Sequence, residues 1–325
     1  MKPKVFVSRP IPEQGLKLVR EFCDMKLWEG ELPPPRDVLL DEVNDIEGLL
    51  CLLTERVDAE LLDSAPHVEV VSNMAVGFDN IDIAECTKRG IPVGNTPGVL
   101  TDTTADLAWA LLMTGARRIV EGADYVRAGR WKTWGPMLLM GQDVYGATLG
   151  IIGLGRIGTA VAKRARGFDM RILYYDVRRR QDLEAEWGLE YVDLDTLLKE
   201  SDFVTVHTVL NPQTHHLISE REFGLMKQTA VLVNAARGPI VDPKALYRAL
   251  KGGQIAYAAL DVTEPEPINM DNPLLELDNI VIVPHIGSAS YATRGKMAEM
   301  AARNLIAGLK GERLPTCVNP EVYGE

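Results

Sequence analysis

The sequence predicts an α/β protein made of two doubly wound parallel-sheet domains. Two observations carry that expectation. Short apolar runs alternate with helical stretches from one end of the chain to the other, and parallel neighbours need a crossover, usually a helix, to connect them. The chain also has 325 residues, room for about two domains.

In the first third the strand candidates are KVFV (4–7), MKLW (25–28), GLLCLL (48–53), VEVV (68–71) and IPVG (91–94). Stretches such as PEQGLKLVREFC separate them, with apolar residues at helical spacing and charged outer faces. The middle offers TLGIIG (148–153), MRILYY (170–175), FVTVHTV (203–209), AVLVN (230–234), IAYAAL (255–260) and NIVIV (279–283). The join falls within 95–122, where Pro97-Gly98 makes a turn and Thr103 with Asp106 forms a capping-box pattern ahead of a long helix. The tail 289–311 is helical and adds no strand, so it is expected to return to the first domain. The expected division is 1–100 plus 289–325 for one domain and 101–288 for the other.

Composition narrows the function classes. The chain is 46% hydrophobic and 25% charged, an ordinary globular profile. A net charge of −11 argues against nucleic acid or an anionic membrane as partner, since both need a basic footprint. The four cysteines, Cys23, Cys51, Cys86 and Cys317, are far apart, so neither a zinc site nor a disulfide scaffold is expected, and no metal. A reducing, cytoplasmic setting suits them. The start MKPKVFVSRPIPEQG has no signal-like apolar region, and no segment offers ~18 unbroken apolar residues for a membrane span.

The chemistry-bearing motif is GIIGLGRIG, which contains Gly153-Leu154-Gly155-Arg156-Ile157-Gly158. It follows an apolar strand, opens a helix and is succeeded by a second strand ending in Asp176. That is the βαβ context of a Rossmann dinucleotide-binding domain, with pyrophosphate at the helix N-terminus. Asp176 would accept hydrogen bonds from the ribose hydroxyls and repel a 2′-phosphate, favouring NAD(H). The arginines from Arg178 to Arg180 keep NADP(H) possible. Three more strand ends carry unusual residues: Arg237 in VNAARGPIVD, Asp261 with Glu266 in LDVTEPEP, and His285 in VPHIGSAS. Ligands of open α/β sheets bind at such carboxyl ends.

Taken with NMAVGFDNID (73–82), NTPGVLTDTTAD (95–106) and NAARG, these motifs resemble the D-isomer-specific 2-hydroxyacid dehydrogenases over essentially the whole chain. Within that family the likeness is greatest to the glyoxylate/hydroxypyruvate reductases, through AVGFDNID, RWKTWGP and the tail LKGERLPTCVNPEV. The resemblance implies reduction of a small 2-keto acid to the 2-hydroxy acid by hydride transfer from NAD(P)H. Arg237 would clamp the substrate carboxylate. His285 would act as general acid, and Glu266 would orient it and favour its charged form. The N–H groups of Val76 and Gly77 would hold the other end of the carboxylate. Leu154, Gly155, Arg156, Ile157, Asp176, Val177 and Arg178 would line the adenosine and pyrophosphate side. Thr104, Ala235, Ala236, Asp261 and Gly287 would line the nicotinamide side, together with Arg237 and His285. Trp134 would come from the partner of a homodimer, joined through the helix near 103–121 by Leu107, Ala110, Leu111 and Thr114. Alternative readings are another D-2-hydroxyacid activity (D-lactate, D-glycerate, phosphite) or a nucleotide-sensing protein like the family's co-repressors.

Overall fold

A computed structural model describes residues Met1–Gly324. The chain divides into two compact units, Met1–Leu100 with the chain from Ser288 onward, and Thr101–Gly287.

The first unit is a five-stranded parallel sheet. Its strands are β1 (Lys4–Val7), β2 (Asp24–Leu27), β3 (Gly48–Cys51), β4 (Val70–Asn73) and β5 (Val93–Gly94), in the order β2-β1-β3-β4-β5. β3 and β4 are buried throughout, as strands covered by helices on both faces must be. The tail helix Tyr291–Leu309 packs against the helix Glu13–Phe22. Gly15 permits that approach, since a Cβ there would lie 2.5 Å from the Ala298 carbonyl oxygen. Small residues at one crossing thus bring the C-terminal helix back to the first sheet.

The second unit opens with the helix Thr101–Arg117 and continues through the helix Ile119–Arg127. Its sheet holds β6 (Thr148–Ile152), β7 (Arg171–Tyr175), β8 (Glu190–Tyr191), β9 (Phe203–Val206), β10 (Val231–Asn234), β11 (Tyr257–Leu260) and β12 (Ile280–Ile282). All run parallel, in the order β12-β11-β10-β9-β6-β7-β8. The direction of winding reverses between β6 and β9, which makes the crevice at their carboxyl ends the expected ligand position. Successive side chains of β6 alternate between two cores: Leu149 and Ile151 pack with Leu112, Phe203 and Tyr257, while Ile152 packs with Val204, Phe223 and Leu260.

The two doubly wound parallel sheets agree with the sequence reading, while several boundaries differ. β9 stops at Val206 rather than 209, and β4 lies two residues later than VEVV. The edge strand β8 has no apolar run to announce it, since both its residues are exposed. The long helix starts at Thr101, so Thr103 lies inside it instead of capping it, and the helix ends at Arg117, where Arg118 takes φ 52°. Of its expected dimer stripe, Ala110 is exposed and Thr114 half-buried. Leu111 is buried in its own unit's core and Leu107 packs beside it. Gly115 explains the helix's closeness to the sheet: a Cβ there would meet Val231 and Tyr257 side chains at 2.9 Å. Among the described residues no helix is long and apolar enough to cross a membrane.

Candidate active site

The loop after β6 is shaped by its glycines. Gly153 adopts φ +93°, and a Cβ on it would lie 2.7 Å from the Thr208 nitrogen, so the loop rests on the backbone just past β9. A Cβ on Gly158 would lie 2.1 Å from the Gly153 carbonyl oxygen. Gly155 is different: nothing lies within 4 Å of its would-be Cβ. Gly155 caps the helix Arg156–Arg166 without a side-chain bond. The N–H groups of Gly155, Arg156 and Ile157 have no partner among the described residues, as the first turn of a helix requires. Open space in front of unpaired amides is a cradle that fits a dinucleotide pyrophosphate.

Asp176 is tied to this loop. Its Oδ2 accepts the Leu154 N–H at 2.6 Å and its Oδ1 the Arg178 N–H at 2.9 Å. Leu154 therefore gives its N–H to Asp176 and its side chain to the core, bracing the loop. Val177 is fully exposed. In the arginine run, Arg179 pairs with Glu184 at 2.8 Å and Arg180 with Asp182 at 2.7 Å.

Past β11 and β12 the structure joins an acid to an imidazole. Glu266 Oε1 lies 2.5 Å from His285 Nδ1, and both side chains are partly exposed. His285 sits at φ 51°, with its N–H shared between the carbonyls of Asp261 at 2.9 Å and Val283 at 3.0 Å. Asp261 anchors the same turn: its carboxylate accepts the N–H groups of Ile286 at 2.6 Å and Gly287 at 2.8 Å. Burial holds the Asp261 carboxyl above its usual pKa, against the pull of those two N–H groups and of His285. Asp261 is thus occupied in shaping the His285 turn. Thr104 is brought to the same place, because a Cβ on Gly287 would meet Asp261 Oδ2 at 3.0 Å and Thr104 Cγ2 at 3.3 Å.

Arg237 follows β10, the strand next to β11. Asn234 builds its turn: Asn234 Oδ1 accepts the Ala236 N–H at 3.0 Å and Nδ2 donates to the Arg237 carbonyl at 2.9 Å. Arg237 Nη1 donates to the Ala236 carbonyl at 2.9 Å. The next residue, Gly238, presses on the Glu266 loop, where a Cβ would come within 1.9 Å of the Thr263 carbonyl oxygen. Ala235 is buried beneath this turn. Asn234 closes the stretch AVLVN, and a polar residue ending an apolar strand before a turn is a usable signal for this role.

Val76 and Gly77 lie in the first unit, after β4. Two asparagines hold them by their carbonyls: Asn95 Nδ2 donates to Val76 O at 2.8 Å and Asn73 Nδ2 to Gly77 O at 3.1 Å. Neither N–H donates to another described residue. Trp134 is 78% exposed, in a stretch that also exposes Trp131, Met137 and Met140.

Comparison with known proteins identifies the family. Residues 109–287 match the family described as D-isomer specific 2-hydroxyacid dehydrogenase, NAD binding domain. The chain is 57% identical to the glyoxylate reductase of Korarchaeum cryptofilum, over 99% of this chain and 97% of that protein. A solved structure of a Thermus thermophilus protein superposes with TM-score 0.92 at 45% identity, over 97% of this chain and 99% of the other. The NADPH-dependent glyoxylate/hydroxypyruvate reductase of Sinorhizobium meliloti, solved with NADP and malonate, gives TM-score 0.86 at 32% identity, over 98% and 97%. The chain therefore belongs to the D-isomer specific 2-hydroxyacid dehydrogenase family and is a nicotinamide-dependent dehydrogenase.

Proposed function

We propose that the protein reduces glyoxylate and hydroxypyruvate to glycolate and D-glycerate with NAD(P)H. The observation that carries this reading is the 2.5 Å bond between Glu266 and His285 at the carboxyl edge of a nicotinamide-binding domain. The substrate rests on the relative named glyoxylate reductase at 57% identity. When bound, the dihydronicotinamide supplies a hydride for the carbonyl carbon. Arg237 holds the substrate carboxylate. With Nδ1 engaged by Glu266, His285 gives the proton to the carbonyl oxygen from Nε2. One hydride on carbon and one proton on oxygen complete the alcohol.

NAD(H) is the preferred cofactor in this reading. Asp176 supports it, and so do the pairings of Arg179 and Arg180 with their own acids. Arg178 is the residue through which NADP(H) would be accepted. The working unit is a homodimer with Trp134 reaching the partner's site, supported by the exposed apolar side chains from Ile119 to Tyr145; a monomer in sedimentation at micromolar concentration rejects this. The four free cysteines suit a cytoplasmic enzyme.

The test is nicotinamide absorbance across glyoxylate, hydroxypyruvate and pyruvate, each with NADH and NADPH. Glyoxylate or hydroxypyruvate with NADH should give the highest kcat/KM. Faster turnover of pyruvate would move the protein to the lactate class, and cofactor binding without turnover to a sensor. Asp176→Ser should shift preference toward NADPH by about 1–3 kcal/mol; a wild type that already prefers NADPH sinks the Asp176 assignment.

A further inference from the structure

Beside the described site the second unit holds a cluster that the reaction does not use. The loop after β9 places His215 and His216 next to each other, with their rings stacked 4.0 Å apart between centroids at 29°. His216 adopts φ 51° and its N–H donates to the Pro239 carbonyl at 2.7 Å, which fixes the direction of its side chain. Both imidazoles face Glu264, from the loop after β11. His216 Nε2 lies 2.7 Å from Glu264 Oε2, and His215 Nε2 lies 3.9 Å from Oε1. One donor atom from each of the three residues lies within 4.8 Å of the other two.

We propose that His215, His216 and Glu264 form a binding site for a divalent transition-metal ion, Zn²⁺ above all. Two imidazole nitrogens and one carboxylate oxygen suit zinc, nickel or copper, whereas calcium and magnesium take oxygen donors. Geometry supports the choice. Zinc bonds of about 2.0–2.1 Å in a tetrahedron set neighbouring donors about 3.3 Å apart, and the two N···O separations, 2.7 and 3.9 Å, bracket that value. Binding requires the stacked rings to turn apart so that the plane of each contains the ion. The side chains are 51%, 35% and 30% exposed, so water completes the coordination. The net charge of −11 favours a cation over an anion. Cysteine spacing predicts no metal site, but these ligands are imidazoles and a carboxylate from loops nearly fifty residues apart. Their ion would staple the loop 211–217 to the loop 262–267.

The test is calorimetric titration of the full-length protein with ZnCl₂ near neutral pH in a non-chelating buffer, paired with thermal melts. Wild type should bind one Zn²⁺ at this cluster and gain in Tm as the ion is added, because a ligand of the native state stabilises it. His215→Phe keeps the ring stack but removes the nitrogen. It should weaken that binding by more than about tenfold and abolish the Tm gain, since loss of even an outer-shell partner costs 10–100-fold. Glu264→Gln should do the same, while basal keto-acid reduction by His215→Phe stays normal. His285→Ala should leave the zinc site intact, which separates it from the Glu266–His285 pair. No saturable binding by wild type, or equal binding by His215→Phe, overturns the proposal.

Discussion

At the end of β6, three glycines and three unpaired N–H groups shape a cradle within the six residues Gly153–Gly158. At the ends of β10, β11 and β12, the chain from Asn234 to Gly287 reaches the same edge of the sheet with side chains instead. The first region works through backbone, so its tolerance is set by the volume at each Cα. The second works through carboxylate, imidazole and guanidinium, so its tolerance is set by charge and aim. A pyrophosphate needs many similar donors in a fixed arc, while proton transfer needs one group at one atom.

The largest expected effect tests whether the two regions are separable. His285→Ala should lose about 10²–10⁴-fold in kcat/KM, the range for a general acid, with NADH affinity by fluorescence titration nearly unchanged. Loss of NADH binding in that variant would show that the two regions are one unit. Arg237→Lys should cost about 2–4 kcal/mol in kcat/KM, because a point charge cannot replace a bidentate fork. Near-normal kcat/KM would remove Arg237 from the carboxylate.

A glycine pair sharpens the comparison within the first region. Gly158→Ala forces a Cβ against the Gly153 carbonyl and should cost about 1–3 kcal/mol of stability, as overpacking does. Gly155→Ala meets open space, so its Tm should stay within error while NADH affinity falls. Equal effects on Tm would mean that the open space is not what distinguishes Gly155.

A pH effect separates a third group from both regions. His207 follows β9, beside the cradle. Its Nε2 lies 2.8 Å from Thr205 Oγ1, and its Nδ1 is sealed from solvent with no partner among the described residues. Burial pushes the ring's pKa down to about 4. The unfolded chain therefore binds the proton first as pH falls below about 6.5, and stability is lost between there and about pH 4. Between pH 7 and pH 5 the loss should be about 2 kcal/mol. Urea unfolding of His207→Leu should show a correspondingly flatter pH dependence over that interval. An unchanged slope would mean that other groups set the acid response.

Much of the dinucleotide half was legible in advance because its determinants are local. GIIGLGRIG carries the turn, the close approach and the helix start in consecutive residues, and Asp176 closes the next strand. The alternation of apolar runs likewise specified the parallel sheets, since burial on both faces demands such runs. His285, Glu266 and Arg237 could be marked as strand-end groups. Whether Glu266 meets His285 depended on the loop that carries it back over β12, and no spacing rule fixes that. Asp261 shows the limit well. The sequence marks it as a strand-end carboxylate, and only the fold reveals that it also accepts the N–H groups of Ile286 and Gly287. Leu111 shows it for the helix 101–117. Helical periodicity defines an apolar stripe, but Gly115 and the sheet beneath it decided which stripe is buried. His215, His216 and Glu264 came together for the same reason. Local sequence fixes conformations over a few residues, and the meeting of distant loops is set by the strand order β11-β10-β9, which puts their strands on either side of β10.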